Sequence, residues 1–172
     1  MLEDEARFGR ISDPRRCWAP AGGRPEVAVQ IVREYEYVYG AVSPPDGVLE
    51  TLVLPEVHAE AMGLFLAEVA QRHAEEFILM VLEGAGWHKA KRLQVPSNRR
   101  LVSLPPWSPQ LNPAEQVWEE WREKFFANRW FETMDQLEEQ LVAGLTALET
   151  DAERIASLTG FDWITCVPLN AH

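Results

Sequence analysis

The most constraining feature of the sequence is a proline-rich turn followed by a helical pattern, SLPPWSPQLNPAEQVWEEWR, at positions 103–122. Four prolines within nine residues fix the backbone φ angle at those positions and make the turn stiff. Asn112 can cap the following helix, Pro113 suits its first position, and Glu115 falls in its first turn. The turn therefore predicts one carboxylate held at a defined place near the positive end of a helix.

The segment Asn-Pro-Ala-Glu is also typical of a capping box, in which the Glu115 side chain bonds back to the Asn112 backbone and serves only the helix. Two other acidic positions favour a functional role. Asp4 and Glu5 stand together in LEDEARFG, and Glu83 follows the apolar run FILMVL. Acids on a strand, at a strand end and at a helix start are typical of a two-metal site.

The pattern of the whole chain predicts a mixed sheet covered by helices. Strands are predicted at 1–12, as a pair within 26–42, and at 48–54, 76–83 and 101–104; helices are predicted at 55–73, 89–93, 113–128, 134–149 and 150–160. Alternation along the first strand places Asp4 on one face and Glu3 and Glu5 on the other. Asp4 is therefore preferred over Glu5 as a metal ligand.

Three segments, DEARFG, EGAGWH and PPWSPQLNPAEQVW, carry a resemblance to a known family. They resemble the motifs of DDE transposases of bacterial insertion sequences, in the mariner-like branch of the retroviral-integrase superfamily. That family has DE-x-x-F-G, D-N/G-A-x-x-H and P-P-Y-S-P-x-L-N-P-x-E-x-x-W in the same order. The resemblance implies an α/β, ribonuclease-H-like mixed sheet of about five strands flanked by helices, with residues 1–172 forming a single DDE-type catalytic domain.

By this resemblance, Asp4, Glu83 and Glu115 take the three acid positions and bind two Mg²⁺ or Mn²⁺ ions. Such ions stabilise the attacking and leaving oxygens of a phosphodiester, and carboxylates suit them as ligands. The implied function is a transposase catalytic domain that performs metal-dependent DNA cleavage and strand transfer. His88 could contact phosphate, orient a carboxylate or cap a helix. Asn112 is expected to place Glu115 by capping its helix.

Glu83 departs from the aspartate that the family has at the second acid position. The extra methylene displaces the carboxylate, and a misplacement of about 1 Å can lower a rate by about a hundredfold. We therefore expect weak metal binding and slow or absent cleavage. The alternative is a catalytically inactive transposase remnant that binds DNA or a protein partner. A third interpretation, another nuclease of the same fold class, is disfavoured by the LNPAE turn.

The net charge of −11 at pH 7 argues against a uniformly DNA-binding surface. A basic cluster nevertheless lies between the second and third acids, and it consists of Lys89, Lys91, Arg92, Arg99 and Arg100. This cluster is either a DNA-binding surface or an ordinary solvated face. By the resemblance, the expected DNA partners are transposon ends and target DNA.

Family members carry an N-terminal helix-turn-helix region ahead of the first acid, which here is already the fourth residue. We therefore expect this region to be absent from residues 1–172. It is either supplied by a separate helix-turn-helix polypeptide or lost, in which case the chain is a remnant. A homodimer is a further expectation.

The chain opens without a secretory signal, and its longest aliphatic and aromatic run is far too short for a membrane span. The sequence thus predicts a cytoplasmic protein that does not bind membranes. Two tryptophans are given structural roles. Trp18 is expected to pin its loop to the body, and Trp107 is expected to pack against the proline turn.

Overall fold

The computed structural model describes residues 1–166 and contains a five-stranded mixed sheet with helices on both faces. The strands are β1 (Leu2–Ile11), β2 (Ile31–Ser43), β3 (Val48–Leu54), β4 (Ile78–Leu82) and β5 (Arg99–Ser103). The helices are α1 (Ala59–Arg72), α2 (Ala114–Trp121), α3 (Met134–Glu149), α4 (Ala152–Thr159) and α5 (Asp162–Thr165). This arrangement confirms the predicted α/β class and the number of strands.

The strand order β3-β2-β1-β4-β5 places β1 at the centre of the sheet. β1 and β2 are antiparallel, as are β2 and β3, whereas β4 is parallel to both β1 and β5. β1 pairs with β4 at Leu2 and Val81. The start of β1 therefore lies beside the end of β4, which brings the segment carrying Asp4 close to the segment carrying Glu83.

The two faces of the sheet are covered by different helices. On one face, Phe8 of β1 packs with Trp118 and Trp121 of α2 and with α3 and α4. On the other face, Tyr39 of β2 and Met80 of β4 pack against α1. Because side chains alternate along a strand, successive residues of β1 enter different layers of the molecule.

β2 is one long strand, so the prediction of a strand pair within 26–42 is wrong. Its pairing with β1 ends at Ile31, which lies opposite Ile11, the last residue of β1. Residues 26–30 lie beyond the end of β1 and are not in a strand. Only the last two residues of the alternating pattern VAVQIV, Ile31 and Val32, are in a strand, because a strand needs a neighbour for its backbone hydrogen bonds.

The helix boundaries also differ from the prediction. α1 begins at Ala59, four residues after the predicted start at 55, and α5 was not predicted. A 3₁₀ turn at Trp87–Lys89 replaces the short helix expected at 89–93. The helix expected at 113–128 is α-helical only to Trp121 and continues as one π-helical turn, Arg122–Phe126. That wider turn brings Phe126 against both Phe8 and Trp121, with ring centroids 5.3 Å and 4.6 Å apart. Core packing therefore accounts for the change of helix type.

Trp18 does not pin its loop, because its side chain is fully exposed, and that prediction is wrong. Of the helices that the structure describes, none combines the length and apolar character that a membrane crossing requires.

Candidate active site

Asp4 lies near the start of the central strand and points toward α2. Its Oδ2 accepts a hydrogen bond of 2.9 Å from Nε1 of Trp118, which is buried. The indole fits there because Gly40 on β2 has no side chain; a Cβ at Gly40 would overlap the Trp118 ring. Trp118 follows Glu115 by three residues on α2, so one face of this helix presents both an acid and the donor that orients Asp4.

The charges of the three predicted acids act on one another. Burial, followed by the negative charge of Glu115, raises the pKa of Asp4 to about 7, and Glu5 and Glu83 add to this effect. Burial and the charge of Glu83 raise the pKa of Glu115. Asp4, Glu83 and Glu115 thus lie near enough for their charges to act on one another. Within residues 1–166, however, their carboxylate oxygens are not all within 4.8 Å of one another. Mutual repulsion among carboxylates of this kind favours the binding of cations.

The Glu83 and Glu115 side chains line an open cavity of about 240 Å³. Its wall is completed by Gly84 and by the proline turn at 105–109. Among the described residues, the Glu115 carboxylate accepts no hydrogen bond, so the capping-box arrangement is not formed. Glu115 therefore keeps its carboxylate oxygens available to the cavity.

Asn112 is buried and fixes the position of the helix that carries Glu115. Its Nδ2 donates to the carbonyl oxygen of Glu3 at 2.8 Å, and its Oδ1 accepts from the backbone N–H of Ala114 at 3.2 Å. The second bond is the predicted helix-capping contact. The first ties the proline turn to β1 and could not be read from the local sequence.

His88 orients a carboxylate, but the carboxylate belongs to Glu5. The imidazole is buried, with Nε2 lying 2.8 Å from Oε1 of Glu5 and Nδ1 lying 2.7 Å from the carbonyl oxygen of Glu83. Burial lowers the pKa of His88, but the hydrogen bond and charge of Glu5 outweigh it and raise the pKa. Sequence reasoning missed this pairing, although alternation along β1 already placed Glu5 opposite Asp4.

The basic cluster does not act as one surface. Lys89, Lys91 and Arg100 are exposed, and Lys89 lines a cavity of about 390 Å³ next to Glu83. Arg92 is also exposed and forms an ion pair of 3.2 Å with Glu60.

Arg99 is buried, so its prediction as a DNA-binding residue is wrong. Its guanidinium donates to the backbone carbonyl oxygens of Val69 at 2.6 Å and Glu76 at 3.2 Å. These bonds satisfy carbonyl groups at and beyond the C-terminal end of α1, a position that favours a positive charge.

Trp107 does not pack against the proline turn as expected. Its side chain is 96% exposed, and its backbone has φ of 58°, the left-handed region that bulky residues rarely adopt. The residue lines both the cavity of Glu83 and Glu115 and the adjoining cavity of Lys89. An exposed indole therefore stands at the edge of the acidic site.

A match to a known protein family identifies the family to which this chain belongs. The profile of the DDE superfamily endonucleases matches residues 1–138. The chain belongs to this family. Membership confirms the predicted resemblance at the level of a DDE endonuclease and implies the use of a divalent metal ion.

The chain is also similar to a bacterial protein, which the match covers almost completely. It is 36% identical over 130 residues to the uncharacterized protein y4pE/y4sA of Sinorhizobium fredii (strain NBRC 101917 / NGR234). That match covers 75% of this chain and 96% of the relative.

Solved structures of the Mos1 transposase share the fold. The paired-end complex with the left transposon end matches with a TM-score of 0.60 and 13% identity, over 92% of this chain and 55% of that chain. The Mos1 mariner paired-end complex with Mn matches with a TM-score of 0.61 and 14% identity, over 93% and 55%. This chain thus spans just over half the length of the solved chains. The likeness confirms the predicted ribonuclease-H-like fold.

Proposed function

We propose that this protein is the catalytic domain of a DDE transposase, in which Asp4, Glu83 and Glu115 hold the metal ions that support DNA cleavage and strand transfer. The observation that carries the proposal is the electrostatic coupling of these three carboxylates. They come from the start of β1, the end of β4 and the start of α2, yet the charges of Glu83 and Glu115 raise the pKa of Asp4, and the charge of Glu83 raises the pKa of Glu115. Two of the three acids, Glu83 and Glu115, line the same solvent-accessible cavity.

The donor set fits hard divalent cations, because it offers only carboxylate oxygens. Two Mg²⁺ or Mn²⁺ ions bound there would stabilise the attacking and leaving oxygens of a phosphodiester. Other side chains of the protein hold the acidic ligands in position. Trp118 orients Asp4 by its indole N–H, and Asn112 holds the turn that places Glu115.

Glu83 is the reason to propose that cleavage is impaired. The family pattern has an aspartate there, and the longer side chain shifts the carboxylate relative to Asp4 and Glu115. Because catalysis tolerates little misplacement, we expect the Glu83→Asp variant to nick supercoiled plasmid about a hundredfold faster than the parent in Mg²⁺ or Mn²⁺.

The matched control for that assay is Glu83→Gln, which keeps the length of the side chain and removes its charge. It should be as slow as the parent or slower. If Glu83→Asp is folded and no faster than Glu83→Gln, the three acids do not form the cleavage site.

DNA is the proposed partner, since the similar Mos1 structures are complexes of a transposase with transposon ends. We propose that the strand path follows the exposed basic residues Lys89, Lys91 and Arg100 beside the cavity. Trp107, at the edge of the same cavity, offers an exposed ring face on which an unpaired base could stack. Origin in an insertion sequence and a homodimer are proposals that rest on the family resemblance. A cytoplasmic location is proposed from the charged first residues and the short apolar runs.

A second candidate function is favoured by Glu83 itself. If the substitution disables metal binding, the chain would act as an inactive remnant that binds DNA or a protein partner. A Mn²⁺ titration separates the two functions. Tight binding accompanied by nicking supports the active transposase, whereas a stable fold that is indifferent to Mn²⁺ and still binds DNA supports the remnant.

A further inference from the structure

Glu3, Glu5 and His88 form a closed polar cluster on the α1 side of the sheet. Alternation along β1 directs Glu3 and Glu5 to the same face, and the 3₁₀ turn after β4 places His88 beside them. Their side chains are 0%, 10% and 1% exposed, respectively. One ligand atom from each lies within 4.8 Å of the other two. None of these three residues is a metal ligand in the proposed cleavage site.

Glu3 is the member whose environment is incomplete. Within residues 1–166, neither of its buried carboxylate oxygens has a hydrogen-bond partner. Its Oε2 lies 3.7 Å from Nε2 of His88, which is too far for a hydrogen bond. Burial and the charge of Glu5 hold the pKa of Glu3 well above its usual range. A cation among these side chains would supply the partner that Glu3 lacks.

His88 is oriented as metal-binding histidines usually are. Its Nδ1 faces the carbonyl oxygen of Glu83 at 2.7 Å, and because a carbonyl only accepts, Nδ1 must carry the proton. Nε2 is thereby directed at the two carboxylates. Histidine ligands almost always donate the other ring N–H in this way. Glu5 is held similarly, since Nε1 of Trp87 donates to its Oε1 at 2.6 Å.

We propose that Glu3, Glu5 and His88 bind one divalent transition-metal ion of the Zn²⁺ class, in a closed site on the opposite face of β1 from Asp4. An imidazole nitrogen combined with carboxylates suits Zn²⁺ or Co²⁺ better than Mg²⁺. Two ligands come from β1 and one from the turn after β4. The ion would therefore fix the relative position of the two segments that carry Asp4 and Glu83. This proposal does not depend on the cleavage function.

Equilibrium titration with Co²⁺ tests the site, because a cobalt ion with a nitrogen ligand in a low-coordinate site absorbs visible light much more strongly than one with six oxygen ligands. The chelator-treated parent should bind one Co²⁺ with intense visible bands, and Zn²⁺ should displace it. Glu3→Gln and His88→Gln should each lower the Co²⁺ affinity at least about tenfold, since even loss of an outer-shell partner costs that much.

The matched control is Glu115→Gln, which removes an acid from the open face and should leave the bands unchanged. Circular dichroism checks that each variant folds. If His88→Gln does not fold, the Co²⁺ affinity of Glu3→Gln decides the outcome. The proposal is overturned if the folded parent shows no strong bands, or if Glu3→Gln binds Co²⁺ as tightly as the parent. Neither result depends on whether the protein cuts DNA.

Discussion

The two faces of β1 carry acidic side chains in opposite environments. On the α2 face, Asp4 is coupled to Glu83 and Glu115, and the latter two line a cavity open to solvent. On the α1 face, Glu3 and Glu5 are enclosed with His88. The contrast shows that strand alternation alone does not decide what an acid can do. The element that covers each face determines whether a substrate can reach it.

The largest expected effect is on the closed face. His88→Ala would leave Glu5 buried without its imidazole partner, and removing one member of a buried ion pair typically costs about 3–5 kcal/mol. We expect a loss of that size in urea denaturation with chelator present. His58→Ala is the control, because His58 is half-exposed and caps α1 through a bond from Ala61 N–H, a contact worth about 1 kcal/mol. Equal losses in the free energy of unfolding for His88→Ala and His58→Ala would show that His88 and Glu5 do not form a buried pair.

Next in size is an effect on the open face. In the Glu83→Asp background, Asp4→Asn should lower plasmid nicking by about a hundredfold or more, because it removes a metal ligand from the centre of the site. The adjacent change Glu3→Gln removes no ligand of the cleavage site and acts only through the position of β1, so it should lower nicking by about tenfold at most. If the two changes lower nicking equally, the distinction between the faces fails.

A smaller effect is expected at the rim of the open face. Trp107→Asn keeps a residue that tolerates positive φ while removing the aromatic ring. Because stacking of one base is worth about 1–3 kcal/mol, we expect affinity for single-stranded DNA to fall about tenfold with stability unchanged. Fluorescence anisotropy measures the affinity, and Trp18→Asn is the matched control in an equally exposed position. An unchanged affinity for Trp107→Asn would remove this residue from the DNA path.

The smallest expected effect is the pH dependence of stability without metal. The pKa of Asp4 is raised from its usual value to about 7 in the folded protein, so between those values the folded state keeps a proton that the unfolded state releases. Stability contributed by this proton is present at low pH and is lost as pH rises to about 7. We expect the free energy of unfolding to fall by up to about 1.4 kcal/mol per pH unit within this window, measured by denaturation at several pH values. Asp4→Asn should make the free energy of unfolding less dependent on pH. If the pH dependence is the same in this variant, other titratable groups cause it.

The sequence predicted the open face better than the closed one. The proline turn, the apolar strand before Glu83 and the alternation around Asp4 are local patterns, and each placed its acid on the expected element. The assignments that failed depend on contacts between distant segments. Arg99 is buried because its guanidinium reaches the end of α1, and the exposure of Trp107 depends on the path of the turn around it.

The closed face depends on a contact that spans more than eighty positions of the chain. His88 lies 83 residues from Glu5, and only the parallel pairing of β1 with β4 brings the two segments together. Alternation predicted that Glu3 and Glu5 share a face. It could not predict that the turn after β4 would cover that face with an imidazole.

The most direct test of the account is an anomalous-difference map from Mn²⁺-soaked crystals of the parent and of the Glu83→Asp variant. We expect Mn²⁺ between Asp4, residue 83 and Glu115, with higher occupancy in the variant than in the parent. A map of the variant without Mn²⁺ at this site, and with the three carboxylates more than about 10 Å apart, would contradict the proposed three-acid site.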